Sequence, residues 1–576
     1  MNPTPTKNSL AHRVADFSNL CQALDYAAQG ITGFNFYNGR GELYSTLPYQ
    51  ALQAAAVKTA QGMVAKKIPI GSRILIIADT VPDFAILFFA CQYASLIAVP
   101  VNLPVGLGGK DSYIAGLRRQ IQDCGAYGAA SPQELIEFLK LATQDLDVKI
   151  VGAYQDFISL PNNQENIRPW LGKDDPCYLQ YSSGSTRFPC GVDLRQSNVM
   201  ANMFAISAHG LQVKADDRSC SWLPLYHDMG LVGMFLSSLA NQLSADFIAT
   251  RDFAKRPLLW PELMARNQAT ISYSPSFGYD LCLRRAMKAN LTGLDLRSWK
   301  AAGIGGDMVQ PAVLEEFGNF FAPYGFRKTS FVPSYGMAET TLALSFSPLG
   351  HGAKTDYVDR LVLADHSVAK AVPQSNPNSR AFIICGRALP LHEIHIRNDQ
   401  GERLKDRQLG KIFAKGPSVM HSYFQKPAET KAVLSADGWL DTGDLGYRLG
   451  DEIVITGRSK DLIIIHGRNI WPQDIEWALE TLPDIKKGDT AAFAIQAENN
   501  EEKIVVLVEC RLQDSLLRQQ LVHEATAIIR RTCAADSLVV LVQPRSLPHT
   551  SSGKLSRSKA KANYLAGYYQ PTSRSS

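Results

Sequence analysis

The run from Gln180 to Val192, QYSSGSTRFPCGV, gathers Ser182, Ser183, Ser185 and Thr186 around Gly184. Glycine lets a backbone turn its N–H groups toward an oxyanion, and hydroxyls add donors, so this loop is suited to gripping phosphate. It is not a Walker loop, because no Gly-Lys-Ser/Thr follows the glycine. Taken alone, the run also fits a polar surface turn. Asp444 follows Thr442-Gly443, where a carboxylate on a tight turn can take both hydroxyls of a ribose; an Asx-turn that only shapes the loop is the plain alternative. Gly305-Gly306, ahead of Asp307, allow close backbone approach to a flat base or a chain. His227-Asp228 has the make-up of a general base with its orienting acid, and equally of a packed structural histidine.

Positioning such residues calls for a scaffold, and its pattern is legible. Arg73 to Ala78 reads as a strand, 83–94 as a helix and Ile97 to Val101 as the next strand; strand, helix, strand implies a right-handed crossover and parallel sheet. The apolar stretch from Phe84 to Val101 matches the length of a membrane span, but Gln92, Ser95 and Pro100 interrupt it, so helix plus strand is the better reading. The alternation continues past Ser197, a candidate cap for a helix starting near Asn198. From Phe382 the texture changes to short strands between glycine-rich turns, which suggests a small barrel or antiparallel sheet. After Arg458 mixed α/β pattern returns, long enough for a separate small domain.

A chain of 576 residues exceeds one typical core, so two or more domains are expected. A hydrophobic content of 45% with 20% charged residues is ordinary for a soluble globular protein. The net charge of +5 comes without a dense Lys/Arg block, which gives nucleic-acid binding no support. The ten cysteines form no Cys-x-x-Cys pair, which argues against a zinc site or a disulfide framework; a reducing cytoplasm fits best. The N-terminal residues show no apolar core behind a basic start, so no signal peptide is expected.

Five motifs occur in order: the loop at 180–192, YGMAET at 335–340, GWLDTGD at 438–444, GRSKDLIIIHGRNIWPQDIE at 457–476 and LPHTSSGKLSRS at 547–558. Together they resemble the adenylate-forming superfamily of acyl-CoA synthetases, peptide-synthetase adenylation domains and luciferases, over nearly the whole chain. Arg187 and Cys190 stand where most members carry Gly and Lys. SWLPLYHDMGL at 221–231 and an extra segment at 348–380 are similar to the fatty acyl-AMP ligases.

The resemblance implies an α/β fold: a large adenylating domain over 1–456 with mainly parallel sheets and a barrel-like subdomain, a hinge at 457–461 containing Asp461, and a small mobile α+β domain over 462–576. It implies ATP and Mg²⁺ as cofactors, a medium or long fatty acid as substrate, and a carrier protein's phosphopantetheine thiol as acceptor, with coenzyme A as the alternative. A catalytically silent nucleotide-binding scaffold is a third reading, and nothing requires more than a monomer. Lys554 would bridge the substrate carboxylate and the α-phosphate, and Arg458 would join Asp444 on the ribose. Glu339 would hold magnesium, which on ATP takes one or two protein carboxylates beside phosphate oxygens. Tyr335 and Gly336 would wall the adenine, with Met337 as packing. Gly305, Gly306 and Asp307 align with the family's adenine segment, although Asp307 is one methylene shorter than the usual Glu. Many members have Thr where Ala338 stands, so the phosphate contact falls to Thr340 or to the 182–186 loop. His227 would gate the substrate carboxylate, while Tyr273, Ser274, Phe277 and Gly278 would line the acyl tunnel. The 348–380 segment is expected to pack between the domains and hinder entry of free coenzyme A.

Overall fold

The computed structural model describes residues 10–104, 109–162, 167, 172–181, 189–465, 468–496, 502–533, 535–550 and 554–569. Its central sheet begins at the edge strand Leu43–Pro48, which pairs antiparallel with Gly33–Tyr37. It then runs parallel through Ser244–Ile248, Arg218–Ser221, Ile271–Ser274, Ala301–Ile304 and Phe331–Gly336. From there pairing turns antiparallel, through Ala343–Phe346, Ser379–Ala388, Glu452–Arg458, Leu440–Leu449, Gly410–Lys415 and Glu393–Arg397. These latter strands carry an apolar cluster of their own, including Leu344, Cys385, Ile396 and Ile412, within an antiparallel continuation of the same sheet.

A second sheet carries the parallel strands Pro176–Tyr181, Ile97–Val101, Arg73–Ile77, Gly128–Ser131 and Ile150–Ala153. The helix Pro82–Tyr93 starts with proline at its first turn and Asp83 beside it, both favourable at a helix N-terminus. It is apolar nearly all round because it is buried nearly all round. The helix and the strand Ile97–Val101 thus account for the span-length apolar stretch, and no described helix is long and apolar enough to cross a membrane. All ten cysteines are free thiols, and all but Cys533 are buried.

One local expectation needs correction. Ser197 is not a cap: the helix spans Gln196–Phe204, and the Asn198 side chain accepts from the Arg195 N–H at 2.9 Å. Asn198 also donates to the Pro417 and Val419 carbonyls, so it is spent tying the two sheets' connecting segments together.

Beyond Arg458 the strands Thr490–Gln496, Glu502–Glu509 and Ser537–Val542 form a separate sheet. Helices Pro472–Leu479 and Ser515–Cys533 cover one face through Ile475, Leu479, Leu521 and Ile529. Helix Arg557–Leu565 covers the other through Ala560. Strand alternation explains the division, since Val506 and Val508 face one way while Val505 and Leu507 face the other.

Candidate active site

Tyr273-Ser274, Ile304-Gly305-Gly306 and Tyr335-Gly336 all stand at the carboxyl ends of parallel strands, where open α/β sheets bind ligands. The loop holding Ser182, Ser183, Gly184, Ser185 and Thr186 leaves the carboxyl end of Pro176–Tyr181; those five residues and Arg187 lie outside the described residues. Two adjoining cavities of about 390 Å³ each open at these strand ends. Tyr335, Gly336, Gly306, Arg458 and Lys554 line both.

The first cavity is walled by Asp307, Asp444 and Asp461 together with Ile383, Ile455 and Phe493. Asp444 is 7% exposed; its Oδ2 accepts from the Tyr335 phenol at 2.8 Å, and its Oδ1 lies 3.5 Å from Arg458 Nε. Burial pushes the Asp444 carboxyl above its usual range, although Arg458, Tyr335 and Lys554 pull the other way. The Tyr335 ring itself packs with Leu344, Cys385 and Ile412, so it anchors Asp444 as well as facing the cavities. Asp307 accepts from the Met308 N–H at 2.8 Å, folding its carboxylate back on the turn. Gly306 has φ +78, a conformation that costs glycine little. Gly305 lies behind the lining, where an added Cβ would come within 2.8 Å of the Ser334 carbonyl oxygen.

The second cavity holds His227, Asp228, Met337, Ala338 and Glu339 at its polar part, and Ile206, Leu211, Met229, Leu342 and Phe346 at its apolar part. His227 Nδ1 lies 2.6 Å from Asp228 Oδ1. Burial raises the Asp228 carboxyl, but His227, Lys554 and the Met229 N–H outweigh it and carry the group below its ordinary value. Glu339 is 6% exposed and accepts at Oε1 from the Tyr423 phenol at 2.9 Å. Burial raises its carboxyl, opposed by Tyr423 and Arg458.

A backbone device presents Glu339. Thr341, fully buried, has φ 67 and ψ −58, and Leu342 N–H bonds the Thr340 carbonyl at 2.8 Å across it, a γ-turn on a β-branched residue. Such a turn is strained and persists only where its surroundings fix it. Thr341 Oγ1 donates to the Ser418 carbonyl at 2.9 Å, and the Met420 N–H donates to the Glu339 carbonyl at 2.8 Å. Thr340 is not free to meet phosphate, because its buried hydroxyl donates to the Met337 carbonyl at 2.9 Å.

Of the expected tunnel residues, only Tyr273 lines the cavity. Ser274 is buried and donates to Pro275, and a Cβ on Gly278 would meet Trp222 at 2.6 Å, so both belong to the core. Phe277 is 44% exposed, edge-on to Trp222. The helix Ser276–Ala286 begins here, and its turn carries Phe277 outward. Asp461 faces the first cavity and pairs at Oδ2 with Arg557 Nη1 at 2.9 Å. Sequence reasoning overlooked Arg557, whose place three residues after Lys554 in the last motif was an available signal. It also overlooked Tyr423, which sits in none of the motifs and meets Glu339 only through tertiary structure.

The sequence profile of the AMP-binding enzyme family matches residues 33–424. The chain belongs to the AMP-binding enzyme family. A Caulobacter vibrioides member with the provisional name acyl-CoA synthetase is 47% identical over 98% of each chain. A medium-chain-fatty-acid–[acyl-carrier-protein] ligase, JamA, from Moorena producens is 30% identical over 96% of each. Among solved structures, a chain from a study of fatty acyl-adenylate ligases from E. coli and L. pneumophila superposes with a TM-score of 0.92. It is 42% identical and is covered completely, by 97% of this chain.

Proposed function

We propose that this AMP-binding enzyme is a fatty acyl-AMP ligase that serves a carrier protein. A fatty acid carboxylate oxygen attacks the α-phosphorus of ATP, the bond to pyrophosphate breaks, and a thiol then attacks the acyl carbonyl and expels AMP. The observation that carries this reading is Lys554, which lines both the acid-rich cavity and the partly apolar one. A cation at that junction stabilises negative charge developing between carboxylate and phosphate.

Asp444 and Arg458 then serve the ribose, Tyr335 and the 305–307 turn the base, and the apolar part of the second cavity the acyl chain. Magnesium, when bound with the phosphates, neutralises their oxygens. Glu339 suits it: a buried, cavity-lining carboxylate, with no cluster of three metal-binding side chains among the described residues, fits an ion that brings most of its ligands with the nucleotide. The relatives named for fatty acids and for a carrier-protein ligase support the substrate and the acceptor.

Incubation with ATP, Mg²⁺, labelled dodecanoic acid and coenzyme A, with products resolved by mass, tests the proposal. Acyl-adenylate with little acyl-CoA is expected. Abundant acyl-CoA makes the protein a synthetase, the reading its 47% identical relative's name supports. Absence of pyrophosphate release revives the silent scaffold.

The choice of acceptor is assigned to the 348–380 segment. Its helix Arg360–His366 touches the C-terminal unit: Arg360 donates to the Thr532 carbonyl at 3.1 Å, and Asp365 pairs with Arg468 at 2.6 Å. Arg380 pairs with Asp474 at 2.8 Å and lies over Phe382 and Trp471. Severing the two outer contacts in an Arg360→Ala/Asp365→Ala variant removes about 1 kcal/mol of restraint on domain rotation, so acyl-CoA should rise about fivefold relative to adenylate. Pyrophosphate release should stay unchanged; an unaltered product ratio would count against this role.

A further inference from the structure

Two π-helical segments flank the apolar part of the second cavity, Ala205–Gly210 and Met229–Leu236. Such segments are rare and concentrate at functional sites. Each offers a glycine to a large side chain just beyond the Thr341 turn. A Cβ on Gly210 would stand 2.9–3.1 Å from three atoms of the Phe346 ring, and one on Gly233 would stand 3.0 Å from Leu342 Cδ2. Phe346 and Leu342 both line the cavity, and the Phe346 ring also meets Tyr273 edge-on at 6.3 Å. The two glycines therefore keep the two side chains back, against the cavity wall.

We propose that the Gly210–Phe346 and Gly233–Leu342 pairs set the depth and width of the acyl site, and so the chain length accepted; this rests on the fatty-acid reading above. A cavity of about 390 Å³ is near the small end of ligand sites, which span about 300–1,000 Å³. Only the apolar part of that volume is left to the chain, since His227, Glu339 and Lys554 line its polar end, so a medium chain is favoured over a long one. Phe346→Ala deepens the site, whereas Gly210→Ala drives the ring inward and shortens it.

The test is the ratio of kcat/KM for hexadecanoic over decanoic acid, read by pyrophosphate release. Phe346→Ala should raise it by about tenfold or more, the discrimination that a few methylenes support in an apolar pocket. Gly210→Ala should lower it by displacing the Phe346 ring, and Gly233→Ala should lower it too, because Gly233 itself lines the cavity and its methyl enters it even where the flexible end of Leu342 yields. Phe346→Leu, a smaller change, supplies an intermediate ratio if the alanine variant does not fold. A wild-type ratio in variants that melt like the wild type overturns the proposal. If the wild-type protein binds ATP yet releases pyrophosphate with neither acid, the fatty-acid reading itself fails and takes this inference with it.

Discussion

Lys554→Ala should lower the rate of acyl-adenylate formation by on the order of a hundredfold or more while leaving the fold intact, because in the proposed mechanism its charge acts on the transition state. The residues flanking 551–553 are held without the side chain. Thr550 N–H donates to the Lys554 carbonyl at 2.7 Å, the Lys554 N–H donates to Thr550 Oγ1 at 3.2 Å, and His549 bridges to Leu555. The ammonium is felt by Asp228 in one cavity and Asp444 in the other, pulling each downward, although burial still holds Asp444 above its usual range. Pyrophosphate release and thermal unfolding, measured on the same preparation, separate chemistry from folding. Near-normal turnover in the variant would remove Lys554 from the mechanism. Lys554→Arg should recover little, because a planar guanidinium does not replace a compact charge between two oxyanions.

Arg557→Ala is expected to be as damaging, by a different route. Its Nε and Nη2 donate to Glu476 Oε1 and Oε2 at 2.8 and 2.6 Å, and its Nη1 to Asp461 Oδ2 at 2.9 Å. Burial opposes the charge on Arg557, but Glu476, Asp461 and Asp307 raise its pKa overall. Removing the arginine leaves the buried Glu476 carboxylate with the Ala492 N–H but no opposing charge, and breaking a buried pair from one side costs up to roughly 3–5 kcal/mol. The C-terminal unit should melt earlier, and adenylation should fall with it, because Arg557 links the segment containing Asp461 to the helix that follows the Lys554 loop. Arg557→Lys, keeping the charge and one bond, should recover part of both. An alanine variant with wild-type melting and activity would show that the clamp holds nothing of consequence.

What the sequence revealed depended on how local the determinant was. The strands Arg73–Ile77 and Ile97–Val101 and the helix between them were readable because buried parallel strands are continuous apolar runs set off by turn residues. The mixed α/β pattern read after Arg458 corresponds to the strands Thr490–Gln496, Glu502–Glu509 and Ser537–Val542 and the helices packed on them, again short apolar runs set off by polar segments. The tunnel was not. Whether Phe277 faces ligand or solvent depends on the rotational phase of the helix that starts at Ser276, and one chain does not disclose it. Tyr423 and Arg557 reach their carboxylates across 84 and 81 residues of sequence, so no spacing rule could pair them. The Ser197 misreading came from a competition between neighbours: Asn198 serves the helix start from inside its first turn.

The turn at Thr341 constrains how this site could be redesigned or could drift. Glu339 and Leu342 lie on either side of one strained residue, so a substitution at Leu342 that shifts the backbone also moves the carboxylate. Selectivity changes sought there would carry a penalty in turnover. Phe346 stands further along a paired strand, and Gly210 lies on a different element altogether. Libraries aimed at new acyl chains should therefore vary 210 and 346 and leave 339–342 alone, and divergence among related enzymes should follow the same division.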